Sequence, residues 1–176
     1  PMPSIKDILT TMEYGPSPES SDAALAWLAA QKCRFGMYID GKWVVAKERF
    51  ETRNPATGQL LAQIGQAGKK DVDAAVDAAS AALKPWQALG GHGRARHLYA
   101  LARALQKHSR LFAVLECLDN GKPIRETRDI DIPLAVRHFY HHAGWAQLLD
   151  TELAGYRAIG VVGQIVPWNF PLLMLA

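Results

Sequence analysis

Asn169 is the residue whose surroundings best suit chemistry. It lies in Ile-Val-Pro-Trp-Asn-Phe-Pro, residues 165–171, held between Pro167 and Pro171. The two prolines stiffen the turn, and Trp168 and Phe170 wall it with apolar surface. An amide N–H in a dry, rigid setting can stabilise a developing oxyanion, a role whose loss typically lowers rate by about 100- to 1000-fold. The same side chain could instead bond its own turn, as Asn often does. The residues alone leave both roles open.

Other reactive types are present in weaker settings. Cys117 follows Glu116 inside an amphipathic pattern without a nearby His, and Cys33 ends a short helical pattern. Both read as packing thiols, and with no Cys-x-x-Cys spacing they suggest neither a disulfide framework nor a cysteine-rich zinc site. His138, His141 and His142 fall at helical i, i+3 and i+4, but no acidic or sulfur ligand accompanies them at a recognised spacing, so no metal site is assigned. Gly-Gly-His-Gly from Gly90 follows a helical pattern and not a strand. It reads as a flexible connection, not a dinucleotide fingerprint.

These residues need elements to hold them. Residues 17–35 open with Ser, Pro and Glu and bring Leu25, Leu28 and Ala29 to helical spacing, which predicts a short capped helix. From Met37 to Gly65 the pattern is strand-like and reads as antiparallel strands. Asp40-Gly41 suits a type I′ hairpin, and Asn54-Pro55-Ala56-Thr57-Gly58 suits a second turn. A helix is expected from Asp71 to about Pro85, with Val72, Ala75, Val76, Ala79 and Leu83 on one face. The next places Leu98, Leu101, Ala102 and Leu105 in a stripe. Ser109 is a candidate cap for a third helix, striped by Phe112, Leu115 and Leu118, which Asn120-Gly121 should stop. A longer helix follows, with Pro133 in its first turn and Val136, Phe139, Tyr140 and Ala143 facing inward. The β-branched run Ala158–Pro167 reads as a strand buried on both faces of a parallel sheet. Its neighbours are missing upstream, so it is expected to pair with strands beyond residue 176.

Composition sets the outer bounds. An apolar fraction of 49%, a charged fraction of 21% and 20 Lys and Arg against 17 Asp and Glu describe a folded globular chain. The basic residues are interspersed with acidic ones, so no basic stripe points to nucleic acid. No run reaches the roughly 18 apolar residues of a membrane span. With cysteine usage this sparse, a reducing, cytoplasmic setting fits best.

Gly-Val-Val-Gly-Gln-Ile-Val-Pro-Trp-Asn-Phe-Pro resembles the NAD(P)-dependent aldehyde dehydrogenase superfamily. The match extends back through Leu-Glu-Cys-Leu-Asp-Asn-Gly-Lys-Pro, His-Phe-Tyr-His-His-Ala-Gly-Trp, Asp-Val-Asp-Ala-Ala-Val and Tyr-Ile-Asp-Gly-Lys-Trp, in order, over nearly all of residues 36–176. The leader Glu13–Leu28 is most similar to the branch called family 16. The resemblance implies an α/β fold in its N-terminal part: a helical leader over residues 1–35, then over 36–176 antiparallel oligomerisation strands and helices that lead into the first strand of a Rossmann-like cofactor domain. It implies oxidation of an aldehyde to a carboxylic acid through a cysteine thiohemiacetal and thioester, with NAD as cofactor, in a homodimer. By the same carry-over Asn169 is the oxyanion-hole amide, and Ile165, Val166, Pro167 and Trp168, with Asn169, line the cofactor. The family's nucleophilic cysteine and base glutamate lie further along than residue 176, in a catalytic domain outside this sequence. Residues 1–176 alone are therefore expected to be inactive. A non-catalytic scaffold of the same descent is the alternative, because some family 16 members lack the nucleophile.

Overall fold

The computed structural model describes residues 4–11 and 19–176, apart from the side chains of residues 8–10. Helices α1 (Ile5–Thr11) and α2 (Asp22–Ala30) precede five strands, β1 (Arg34–Phe35), β2 (Met37–Ile39), β3 (Lys42–Val44), β4 (Glu48–Arg53) and β5 (Leu60–Gln66). Helices α3 (Lys69–Ala88), α4 (Gly90–Lys107), α5 (Ser109–Asn120) and α6 (Ile124–Glu126) come next. A π-helical turn (Thr127–Asp131) runs into α7 (Ile132–Glu152), and α8 (Pro171–Leu175) closes the order. The mixed α/β class expected from the sequence is the class observed.

The strands form two small sheets. β2 and β3 make a hairpin in which Tyr38 faces Trp43, and Asp40 and Gly41 both take positive φ, 52° and 70°, as a type I′ turn requires. The other sheet has the order β1-β5-β4. β4 and β5 are antiparallel, with Phe50 opposite Ile64, as expected for Met37–Gly65, and β1, in a stretch expected to be the end of the leader helix, adds to β5 in parallel. The hairpin and β4 intervene between β1 and β5, so the chain can return along β1 in the same direction. Asn54 shapes the second turn: its carbonyl accepts from Gly58 N–H at 2.8 Å and its Oδ1 from Ala56 N–H at 2.9 Å.

Helices α4 and α7 form the main helical pair. Ala95 and Ala102 on one helix and Ala135 and Ala143 on the other are fully buried, so the two backbones approach closely. Leu105 and Val136 complete the seam, with Phe112, Phe139, Tyr140 and Leu172 packed against it. Leu101, expected in the stripe, is 43% exposed. The seam follows Ala95, Ala102 and Leu105, and Leu101 lies one residue, about 100°, off that line.

Several boundaries differ from the sequence expectation. The first long helix does not stop at Pro85 but runs on to Ala88. Pro85 lacks the N–H that would bond the Ala81 carbonyl, and the last turn continues past it nonetheless. None of this helix's residues is buried, and Val72 and Val76 are about half exposed. The glycines from Gly90 are not a flexible connection but the first turn of α4. Gly91 is buried, and a β-carbon there would strike the carbonyl oxygen of Ala146 on α7. Ser109 is the first residue inside α5, not its cap, which is His108. The leader helix spans Asp22–Ala30, within the expected 17–35; residues 17 and 18 lie outside the described residues.

The largest difference is the β-branched run. Residues 156–167 form no strand, and Val162, Ile165 and Ile159 are 64%, 103% and 92% exposed. Hydrophobicity suits a run to a buried slot, but a strand exists only with a hydrogen-bonding neighbour, and no described strand lies beside this one.

Candidate functional site

The C-terminal residue of α5 and the start of α8 hold the turn that carries Asn169. Gly121 ends α5 in the left-handed conformation (φ 82°), and its N–H bonds the Cys117 carbonyl at 2.9 Å. That stop turns the chain so that Asn120 and Lys122 both face residues 168–170. Asn120 Nδ2 donates to the Trp168 carbonyl at 2.6 Å. The Lys122 ammonium sits 3.9 Å from the centre of the Phe170 ring, a cation–π contact. Beyond the turn, Pro171 begins α8 in the first helical position, where its missing N–H leaves nothing unsatisfied.

Asn169 itself is exposed, as are Ile165, Val166, Pro167 and Trp168, the last by 81%. These four residues and Asn169 therefore form one accessible strip of main chain and apolar side chain. Such a strip fits a flat, partly apolar cofactor lying along it, with main-chain groups other than the engaged Trp168 carbonyl able to bond its polar edges. Among the described residues, the side chains of this strip make no hydrogen bond that would commit Asn169 to a purely internal role.

Under the turn lies a buried charged cluster that sequence reasoning missed. Asp131, 1% exposed, pairs with Lys122, and Glu116, 7% exposed, faces Asp131. Among the described residues, Glu116 Oε1 and Asp131 Oδ1 have no hydrogen-bond partner. Burial, then the neighbouring Asp131 carboxyl, push the Glu116 carboxyl up to about 7, while the Leu172 N–H and Lys122 act in the opposite direction. The π-helical turn delivers Asp131 to this position: Thr127 and Asp131 at its two ends are both buried. The sequence offered a signal only for Glu116, which shares a helix face with Asn120 at i and i+4; nothing in it placed Asp131 or Lys122 alongside.

Neither cysteine lies in this arrangement as a nucleophile. Cys117 is half-buried on α5, and burial raises its thiol pKa, which keeps it protonated. Cys33 sits at a positive φ of 48° after α2. Among the histidines, His142 Nδ1 is 2.8 Å from the His138 carbonyl of its own helix. Among the described residues no group of three or more His, Cys, Asp or Glu gathers as a metal site.

Comparison with known proteins gives a consistent result. The model of the aldehyde dehydrogenase family matches residues 43–176. Aldehyde dehydrogenase B of Escherichia coli is 41% identical over 155 residues, covering 81% of this chain and 30% of the relative. Acetaldehyde dehydrogenase 2 of Cupriavidus necator is 42% identical over 155 residues, covering 81% of this chain and 31% of the relative. The NAD+ complex of aldehyde dehydrogenase from Bacillus cereus superposes with a TM-score of 0.79 at 36% identity, covering 91% of this chain and 35% of that one. The chain thus spans about a third of the length of the proteins it matches, in the N-terminal part of their fold.

Proposed function

Because the chain belongs to the aldehyde dehydrogenase family, we propose that the whole protein oxidises an aldehyde to a carboxylic acid with NAD. The observation that carries the reading is the Pro167–Pro171 turn, which presents the Asn169 amide beside the exposed strip of residues 165–168. Bound along that strip, NAD would supply the hydride acceptor. Ile165, Val166, Pro167 and Trp168 would hold it, through main-chain groups and apolar contact. Asn169 would donate its amide hydrogen to the substrate oxygen as negative charge develops there. The nucleophile and base would come from a part of the whole protein outside residues 1–176, since neither Cys117 nor Cys33 is placed to serve.

The assembly belongs to the same proposal. The β2–β3 hairpin exposes Tyr38 and Trp43, 64% and 68%, and an aromatic surface of this kind suits the partner contact of a homodimer. We place the protein in the cytoplasm and leave the leader's family 16 character as the finer form of the proposal; residues 12–18 of that leader lie outside the described residues.

The test is turnover by the whole protein with NAD and a series of aldehydes. Asn169→Ala should lower kcat by about 100-fold or more while the NAD dissociation constant and melting temperature change little, because the amide acts on charge found only in the transition state. Asn169→Asp should be worse, since a carboxylate offers no hydrogen and repels the oxyanion. Equal losses of rate, cofactor affinity and stability would make Asn169 a turn residue only. A whole protein with no turnover on any aldehyde would favour the scaffold reading.

A further inference from the structure

We propose that Asn120 is a positioning residue for Asn169: its side chain, by gripping the Trp168 carbonyl, aims the Asn169 amide at the substrate oxygen. This rests on the proposed dehydrogenase reading. Two observations carry it. The first is the bond from Asn120 Nδ2 to the Trp168 carbonyl, at 2.6 Å, between residues 48 apart in sequence. That carbonyl belongs to the peptide unit that joins Trp168 to Asn169, so fixing it fixes the plane from which the Asn169 side chain projects. The second is how firmly Asn120 itself is placed. It is the last residue of α5, backed by the left-handed Gly121, and Lys122 two residues on holds the ring of Phe170 from the other side of Asn169. The turn is therefore gripped both before and after Asn169 by the segment that closes α5.

An exposed turn with only two prolines for stiffness would leave the amide to sample several orientations. Oxyanion stabilisation falls steeply with misalignment, because the donor must meet the oxygen at hydrogen-bond distance without reorganising. Asn120 removes that freedom without touching substrate. Its neighbour Asp119 is already engaged elsewhere, accepting from the Thr52 hydroxyl of β4, which anchors this end of α5 to the sheet.

The experiment uses the whole protein and four forms: the native sequence, Asn120→Ala, Asn169→Ala and the double variant. Asn120→Ala should lower kcat by about tenfold, the scale of one aligned hydrogen bond, with KM for aldehyde and the NAD dissociation constant within about twofold. The double variant should be no slower than Asn169→Ala alone, because a residue that acts through Asn169 has nothing left to position. Asn120→Asp, of the same size but without the donor, should be at least as slow as Asn120→Ala. Multiplying effects in the double variant, or a parallel loss of NAD affinity, would overturn the proposal. Hydrogen exchange of the peptide covering residues 165–172 gives a readout independent of turnover. It should quicken in Asn120→Ala even if the native protein proves inactive, an outcome that would defeat the dehydrogenase reading alone. Unchanged exchange would refute the grip itself.

Discussion

At the scale of single residues, Glu116 is the most informative titrating group. Its carboxyl is pushed up to about 7 by burial and by Asp131, so between the ordinary carboxylate range and about 7 the folded state holds a proton that the unfolded state has released. Stability from this group is therefore fully present at low pH and is lost as pH rises through about 7. Glu116→Gln keeps the protonated shape without the titration. Melting temperatures measured from pH 5 to 8 should show a decline in the native protein that flattens in Glu116→Gln. Parallel profiles would mean that Glu116 does not titrate in this range. The neighbouring Lys122 explains why Asp131 tolerates its depth: a buried carboxylate persists where a cation meets it. Asn169 was legible from Pro-Trp-Asn-Phe-Pro alone as a candidate donor. Glu116, Lys122 and Asp131 were not, because what joins them is the π-helical turn, and nothing in Thr-Arg-Asp-Ile-Asp announces five residues wound in that way.

At the scale of elements, the pairing of α4 with α7 depends on small residues, and Gly91 is its most demanding position. A β-carbon at Gly91 would meet the Ala146 carbonyl, a backbone group that cannot rotate away. Gly91→Ala should force the helices apart and destabilise the whole protein by about 1–3 kcal/mol, read by denaturant unfolding. A change below about 0.5 kcal/mol would show that the first turn of α4 bends to make room. The element types were largely readable: the hairpin at Asp40-Gly41, the stop at Gly121 and the long helix behind Pro133 follow from local chemistry. The failures are instructive in the same terms. Gly90–Gly93 read as a flexible connection because it follows a helical pattern and is rich in glycine, a poor helix former, and propensity gave way to a tertiary contact that only glycine permits. Pro85 looked like an end because proline usually is one, yet the last turn continues through it to Ala88. The parallel partner of β1 could not be read locally at all, since pairing is decided by where β5 returns.

At the scale of the whole molecule, apolar surface dominates the picture. Beyond Tyr38 and Trp43, the groove of about 570 Å3 between the sheet, α5 and α8 is lined by Trp27, Phe35, Phe50, Phe112 and Leu172, and α3 buries none of its residues. Exposed apolar area on this scale suits contact with further protein, from the rest of the whole chain or from a partner. For the hairpin the expected outcome is association. The whole protein should sediment as a dimer at micromolar concentration, and Trp43→Glu, which places a charge in the centre of the contact, should shift it toward monomer without loss of secondary structure. A dimer that survives Trp43→Glu would locate the interface elsewhere.

The bond between Asn120 and the Trp168 carbonyl also says something about the order in which the chain acquires its shape. It closes a loop of 48 residues that contains the end of α5, the π-helical turn and all of α7. Closing so long a loop is entropically unfavourable until the helices inside it have docked. The turn at Asn169 is thus expected to arrive late on the folding route, its native contacts forming after the transition state. Weakening the grip, as in Asn120→Ala, should then steepen only the unfolding rate and leave the folding rate nearly unchanged, read from the two arms of a denaturant chevron, so that this turn can be retuned without disturbing how the molecule first assembles.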